Sequence, residues 1–104
     1  MTTIVEAVRK AARARVLHLS HAVKQMARPD RLITPEEVER VVLEGDLVED
    51  YPDDVRGHSC LLLGSPRGRP VHVVCSPRAE YLAIITAYVP EPSQWSPDFR
   101  RRIG

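Results

Sequence analysis

The spacing of turn residues in the second half of this chain constrains its fold most. Four apolar stretches follow one another after residue 46, and only short turn clusters separate them: Pro52-Asp53-Asp54 with Gly57, then Pro66 to Gly68, then Ser76-Pro77. A parallel crossover needs a dozen or more residues, so links this short leave room only for antiparallel pairing. The spacing predicts a meander with strands at 47–51, 59–64, 69–75 and 81–89. The third and fourth strands show little polar alternation, which predicts burial on both faces.

The first 45 residues read as helices. Thr3 and Glu6 have the spacing of a capping box, and Val5, Val8 and Ala12 recur at helical intervals. With so much Ala and Val on its apolar face, this helix is expected to dock loosely, as an amphipathic extension over residues 1–15. Residues 16–19 read as a short extended piece leading into the domain proper, 16–104. Ser20 is placed to cap a second helix over 21–28, which Pro29-Asp30 ends. Thr34, Pro35 and Glu37 supply a cap, an N1 proline and a second capping box for a third helix, with Gly45 at its end. Beyond Pro90 and Pro92, Ser96-Pro97 is expected to start one helical turn, with Trp95 and Phe99 as apolar anchors.

Total charge says little. With 15 Lys+Arg against 14 Asp+Glu, a uniformly basic nucleic-acid binder is excluded. The distribution says more. Residues 1–40 carry eight cations against five acidic groups, residues 44–54 carry six carboxylates and no cation, and Arg100, Arg101 and Arg102 crowd the tail. Two readings follow: solvated faces, or two basic ends that converge on one phosphate-binding surface. No apolar run is long enough for a membrane span. Two Cys in a chain with an adequate core fit a reducing, cytoplasmic setting.

Several segments together resemble a known family: His21-Ala22 with Met26, Thr34-Pro35-Glu36-Glu37, Asp50-Tyr51-Pro52-Asp53-Asp54, Arg69-Pro70-Val71-His72-Val73-Val74, Ile84-Ile85-Thr86-Ala87-Tyr88 and Trp95 with Asp98-Phe99-Arg100-Arg101. They resemble a family of small bacterial domains of unknown function and, through it, the RelE/ParE/BrnT-like toxin superfamily. The likeness runs from about Val16 to Arg102. It implies an α+β, RelE-like domain, N-terminal helices followed by a four-stranded antiparallel curved sheet. It also implies a toxin-like ribonuclease of a toxin–antitoxin system. The partners would then be RNA or the ribosome, an antitoxin protein, and a second copy in a homodimer. In the family pattern an Arg precedes the Met; Gln25 stands there, with Arg28 or Arg31 as candidate substitutes.

Metal-independent RNA cleavage needs a base, an acid and cationic stabilisation of the phosphorane. His21 and His72 are the candidate acid/base pair and Tyr88 a candidate donor. Arg28, Arg31, Arg69, Arg100 and Arg101 are candidate phosphate contacts. The structural alternatives are a loop-bonded His21, a satisfied core His72, a core-edge Tyr88 and a solvated Arg tail. An alternative function is a non-catalytic module of the same fold that binds RNA or protein. The scarcity of aromatics favours it, because stacking platforms would be few. His58-x-Cys60 and His72-x-x-Cys75 contain zinc-type ligands, but positions three apart on a strand face opposite ways. The sequence therefore calls for no metal and no cofactor.

Overall fold

A computed structural model describes residues 2–103. Three helices come first in the chain, α1 (Ile4–Ala14), α2 (Ser20–Met26) and α3 (Pro35–Glu44), with strand β1 (Val16–His18) between the first two. Four strands follow: β2 (Asp46–Tyr51), β3 (Ser59–Gly64), β4 (Val71–Pro77) and β5 (Leu82–Tyr88). The α+β class and the meander are as the sequence indicates. The sheet is not the expected four-stranded antiparallel one. It has five strands in the order β1-β5-β4-β3-β2, and β1 lies parallel to β5. Residues 16–18 are therefore not merely an extended lead-in: Leu82 N–H bonds the Arg15 carbonyl and Leu19 N–H bonds that of Ile84, joining both ends of the segment to β5.

That ladder also moves the start of α2. Leu19, still tied to Ile84, serves as the N-cap, and Ser20 lies inside the helix rather than capping it. At α3 the local signals act as read. Thr34 Oγ1 accepts from Glu37 N–H at 3.2 Å, and the Glu37 carboxylate accepts from Thr34 N–H at 3.0 Å. Gly45 ends the helix in extended backbone, not in a left-handed turn. It is small because a Cβ there would lie 2.5 Å from the Val41 carbonyl oxygen and 2.6 Å from that of Leu63.

The helices cover one face of the sheet. Cys60, Leu62, Val71, Val73, Cys75, Leu82, Ile84 and Ala87 form one buried cluster with Val8, Ala22, Met26, Val38, Val41 and Val42. Docking of α1 is thus firmer than its Ala-rich face suggests: Val8 is fully buried, and Arg9 donates to the Gly45 carbonyl at 2.7 Å, at the carbonyl end of α3.

Strand residues alternate, so Leu61, Leu63, His72, Val74, Thr86 and Tyr88 face away from the helices. Each of two strands contains one extra residue. Val48 in β2 brings both Asp46 and Glu49 to this outer face, opposite Leu63 and Leu61. Ile85 in β5 brings Tyr88 into register with His72. No helix covers the outer face. The chain after β5 does, as a tight loop in which Ser96 N–H bonds Arg101 O, Phe99 N–H bonds Ser96 O and Ile103 N–H bonds Gln94 O. Trp95 and Arg102 bridge as in a short antiparallel pair. The helical turn expected at Ser96-Pro97 is therefore a β-turn loop.

Candidate functional site

Of the sequence-derived candidates, the structure brings His72 and Tyr88 together. The bulge at Ile85 sets them side by side on neighbouring strands, with ring centroids 5.3 Å apart and edge to face. His72 Nε2 donates to the Phe99 carbonyl at 2.9 Å, because a carbonyl can only accept. Its Nδ1 is then the acceptor for the Tyr88 hydroxyl at 3.3 Å. Trp95 packs edge-on to the same imidazole at 4.5 Å. His72 is 0% exposed. Burial pushes its pKa below the ordinary value, against the pull of the Phe99 carbonyl, and burial raises the Tyr88 phenol. The imidazole is neutral, hydrogen-bonded at both nitrogens and sealed.

Beside this pair lies a second group that reasoning from sequence did not single out. Arg102 stacks over the Trp95 ring at 4.7 Å and forks onto the Glu49 carboxylate at 3.0 and 3.1 Å. The Tyr51 hydroxyl donates to the same carboxylate. Burial works against ionisation of Glu49, but hydrogen bonds from Arg102 and Tyr51 hold its pKa below the ordinary carboxyl value. Burial and the bond to Glu49 push the Tyr51 phenol up to about 12. The available signal was the strand alternation that puts Glu49 and Tyr51 on one face. The missing one was the partner, more than fifty residues away.

The other candidates lie elsewhere. His21 is exposed on α2, in the helical layer on the opposite side of the sheet from His72. Arg69 serves as a clamp: it donates to the carbonyls of Arg31 at 2.5 Å and Leu32 at 3.0 Å and to the Glu37 carboxylate at 3.3 Å. Glu37 is 3% exposed, so this pair, buried at its carboxylate and open to solvent at Arg69, fixes the α2–α3 loop on α3. Within that loop Leu32 takes a left-handed backbone (φ 43), which costs a non-glycine residue about 1 kcal/mol or more. Arg31 faces Asp30 and Glu91, and Arg28 faces Asp30. Arg100 meets Asp46 at 2.7 Å, while Arg101 is exposed. The Asp50-Tyr51-Pro52-Asp53-Asp54 stretch closes a turn: Asp54 accepts from Arg56 Nε and Nη2 and from the Ser59 hydroxyl at 2.7 Å.

The two basic ends of the chain therefore do not converge. Strands β1 and β2 are opposite edges of the sheet, four strand spacings or about 19 Å apart. Arg100 and Arg102 of the tail fold onto the acidic β2 edge and pair with Asp46 and Glu49. Of the N-terminal cations, Arg13 lies in the last turn of α1 and Arg15 directly precedes β1, whereas Arg9 reaches to Gly45. Over residues 2–31 there are seven Lys/Arg and two carboxylates. Among the described residues the ion pairs involve Arg28, Arg31, Arg40, Arg56, His58, Arg69, Arg100 and Arg102; the exposed Lys10, Arg13, Arg15 and Lys24 are in none.

Cys60 and Cys75 face each other in register on β3 and β4, both buried on the helix side, away from His72. Among the described residues no three His, Cys, Asp or Glu side chains are grouped to hold a metal ion, and no helix is long and apolar enough to cross a membrane.

A small α+β domain, with three helices on one sheet face and a tail loop on the other, is the class these elements define. The family described as a domain of unknown function (DUF4258) matches residues 19–89, and the chain belongs to that family. The match begins just after β1 and covers α2 to β5. The tail loop that carries Trp95 and Arg102 lies beyond it. No curated protein matches the chain, and no solved structure matches it.

Proposed function

We propose that this domain is a non-catalytic RNA-binding module whose contact surface is the cationic β1 edge. One observation carries the reading: exposed cations that are in no ion pair among the described residues gather in the segment leading into β1. Arg100 and Arg102 of the tail are paired on β2, and Arg69 is consumed by the α2–α3 loop. Lys10, Arg13 and Arg15 are exposed, and exposed His21 follows them across the short β1 strand. Unpaired cations along one edge suit a phosphate backbone, whose neutralisation releases counterions and makes binding salt-dependent. With Trp95 buried and Tyr51 and Tyr88 bonded inward, the site offers backbone contact rather than base stacking.

The test is binding of a labelled single-stranded RNA by the full chain across a salt series. Replacing Lys10, Arg13 and Arg15 together by Glu should weaken binding roughly tenfold or more and flatten the salt slope by about 2. Absence of binding at low salt, or binding indifferent to the triple change, would overturn the reading.

The meeting of His72, Tyr88 and Arg102 favours a second reading, a toxin-like ribonuclease of the RelE type held closed by its own tail. An acid/base pair next to an arginine is the equipment for phosphodiester cleavage. On that reading, loosening the tail with Arg100→Glu and Arg102→Glu should yield cleavage of free or ribosome-bound RNA, abolished by His72→Gln. No cleavage by the loosened protein would sink it.

A further inference from the structure

We propose that the apolar groove between α2 and α3 is the seat of a second copy of this chain, forming a two-fold symmetric dimer. The inference is independent of the RNA reading.

The groove holds about 380 Å³ and is lined by Val23, Met26, Ala27, Leu32, Ile33 and Pro35, together with His18. Leu32 is its outer wall. It is 61% exposed and sits in the left-handed backbone region, so this loop presents an apolar side chain to water in a conformation leucine disfavours. The Arg69–Glu37 pair enforces that conformation through the Arg31 and Leu32 carbonyls. A sequence that breaks a local rule and then clamps the result in place marks a surface shaped for contact. Val23, on the α2 side of the groove, is also exposed.

Charge selects the occupant. Lys24 on α2 follows Val23 at one rim, and Glu39 on α3 lies one turn beyond Pro35 at the other, close enough to raise the pKa of His18 against its burial. Both are exposed, and neither has an ion-pair partner among the described residues. A partner of one sign would meet repulsion at one rim. A second copy related by a two-fold axis sets each Lys24 against the other copy's Glu39 while the two Leu32 walls bury each other, which is the self-complementarity an isologous contact requires.

Sedimentation velocity of the full chain over a roughly hundredfold concentration range tests this. Wild type should pass from monomer to dimer. Leu32→Asp should weaken association roughly tenfold or more with an unchanged circular dichroism spectrum. Lys24→Glu and Glu39→Lys should each weaken it, and the double swap should restore it, because only a contact between the two rims is rebuilt by exchanging their charges. The charge variants alter exposed side chains, so they keep the test decisive even where Leu32→Asp perturbs folding. A wild type that stays monomeric throughout, or a dimer that ignores both the Leu32 change and the swap, would overturn the proposal.

Discussion

The two faces of the sheet are closed in different ways. The helical face is closed by area: three amphipathic helices lay Val8, Ala22, Val38, Val41 and Val42 onto Cys60, Leu62, Val73 and Ile84, and the contact is apolar throughout. The outer face is closed by a single loop, with one large apolar residue, Trp95, and a connected polar set of His72, Tyr88, Glu49, Tyr51 and Arg102. Apolar burial is undirected and spreads over many residues. A hydrogen-bonded set is directional, and its energy is concentrated in few. The outer face should therefore be more sensitive to single substitutions, to pH and to salt.

The sharpest way to break this contrast is Trp95→Ala. Trp95 is 3% exposed and covers His72, so truncation should cost about 3 kcal/mol or more, by urea unfolding. A cost no greater than that of a single Val→Ala change in α3 would mean the loop does not close the face. Next comes Arg69→Ala, on the helical side. It strands a buried carboxylate that keeps only its Thr34 contacts, and it frees the Leu32 backbone. A loss of about 2 kcal/mol is expected, below the usual figure for a broken buried pair because Arg69 itself is partly exposed. This ion pair, whose carboxylate is buried on the helical side, would then prove as concentrated a dependence as any on the outer face.

How much of this was legible in the sequence depends on the range of the signal. The α3 cap, the β3 boundaries and the meander rest on residues within a turn of each other, and they are where the residues indicate. Strand β1 has three residues and no alternation to read, and its parallel pairing with β5 joins residues as far apart in the chain as Val16 and Leu82. The bulges matter more. Counting back from the Pro77–Leu82 pairing without a bulge puts His72 opposite Ala87, and Tyr88 then points into the helical core. Only the extra residue at Ile85, which nothing local announces, makes the His72–Tyr88 pair. The tail is similar: Arg100 and Arg102 are plainly basic, but their attachment to Asp46 and Glu49 is a property of the folded sheet.

Acid should separate the faces next. Burial lowers the native pKa of His72, so the unfolded chain takes up a proton before the native one does. The contribution is flat above the unfolded value of 6.5 and destabilising as pH falls from there toward the depressed native value. His18, also lowered by burial, acts in the same direction. Carboxylates such as Glu49 titrate in a lower range, from the ordinary 4.5 downward. Stability measured between about pH 7 and 5 should fall, and His72→Gln should remove part of that slope. An unchanged slope in the variant would place the pH dependence elsewhere, with His18 the next group to replace.

The smallest effect expected is the most discriminating. Arg102 is largely exposed and forks onto Glu49 while stacking on Trp95. As an ion pair in water it should contribute little, so Arg102→Ala should cost only about 0.5–1 kcal/mol. Its structural consequence should be larger than its energy. Trp95 is the only tryptophan, so its fluorescence reports on the loop alone. Removing the guanidinium from its face should shift that emission toward the exposed wavelength with global stability almost intact, and high salt should reproduce part of the shift in the wild type by screening the Arg102–Glu49 pair. A change that moves the unfolding midpoint and the emission together would mean the loop and the sheet unfold as one unit. Emission that shifts alone would show the outer face opening locally while the helical face holds, the behaviour expected of a cover fastened by a few directional bonds.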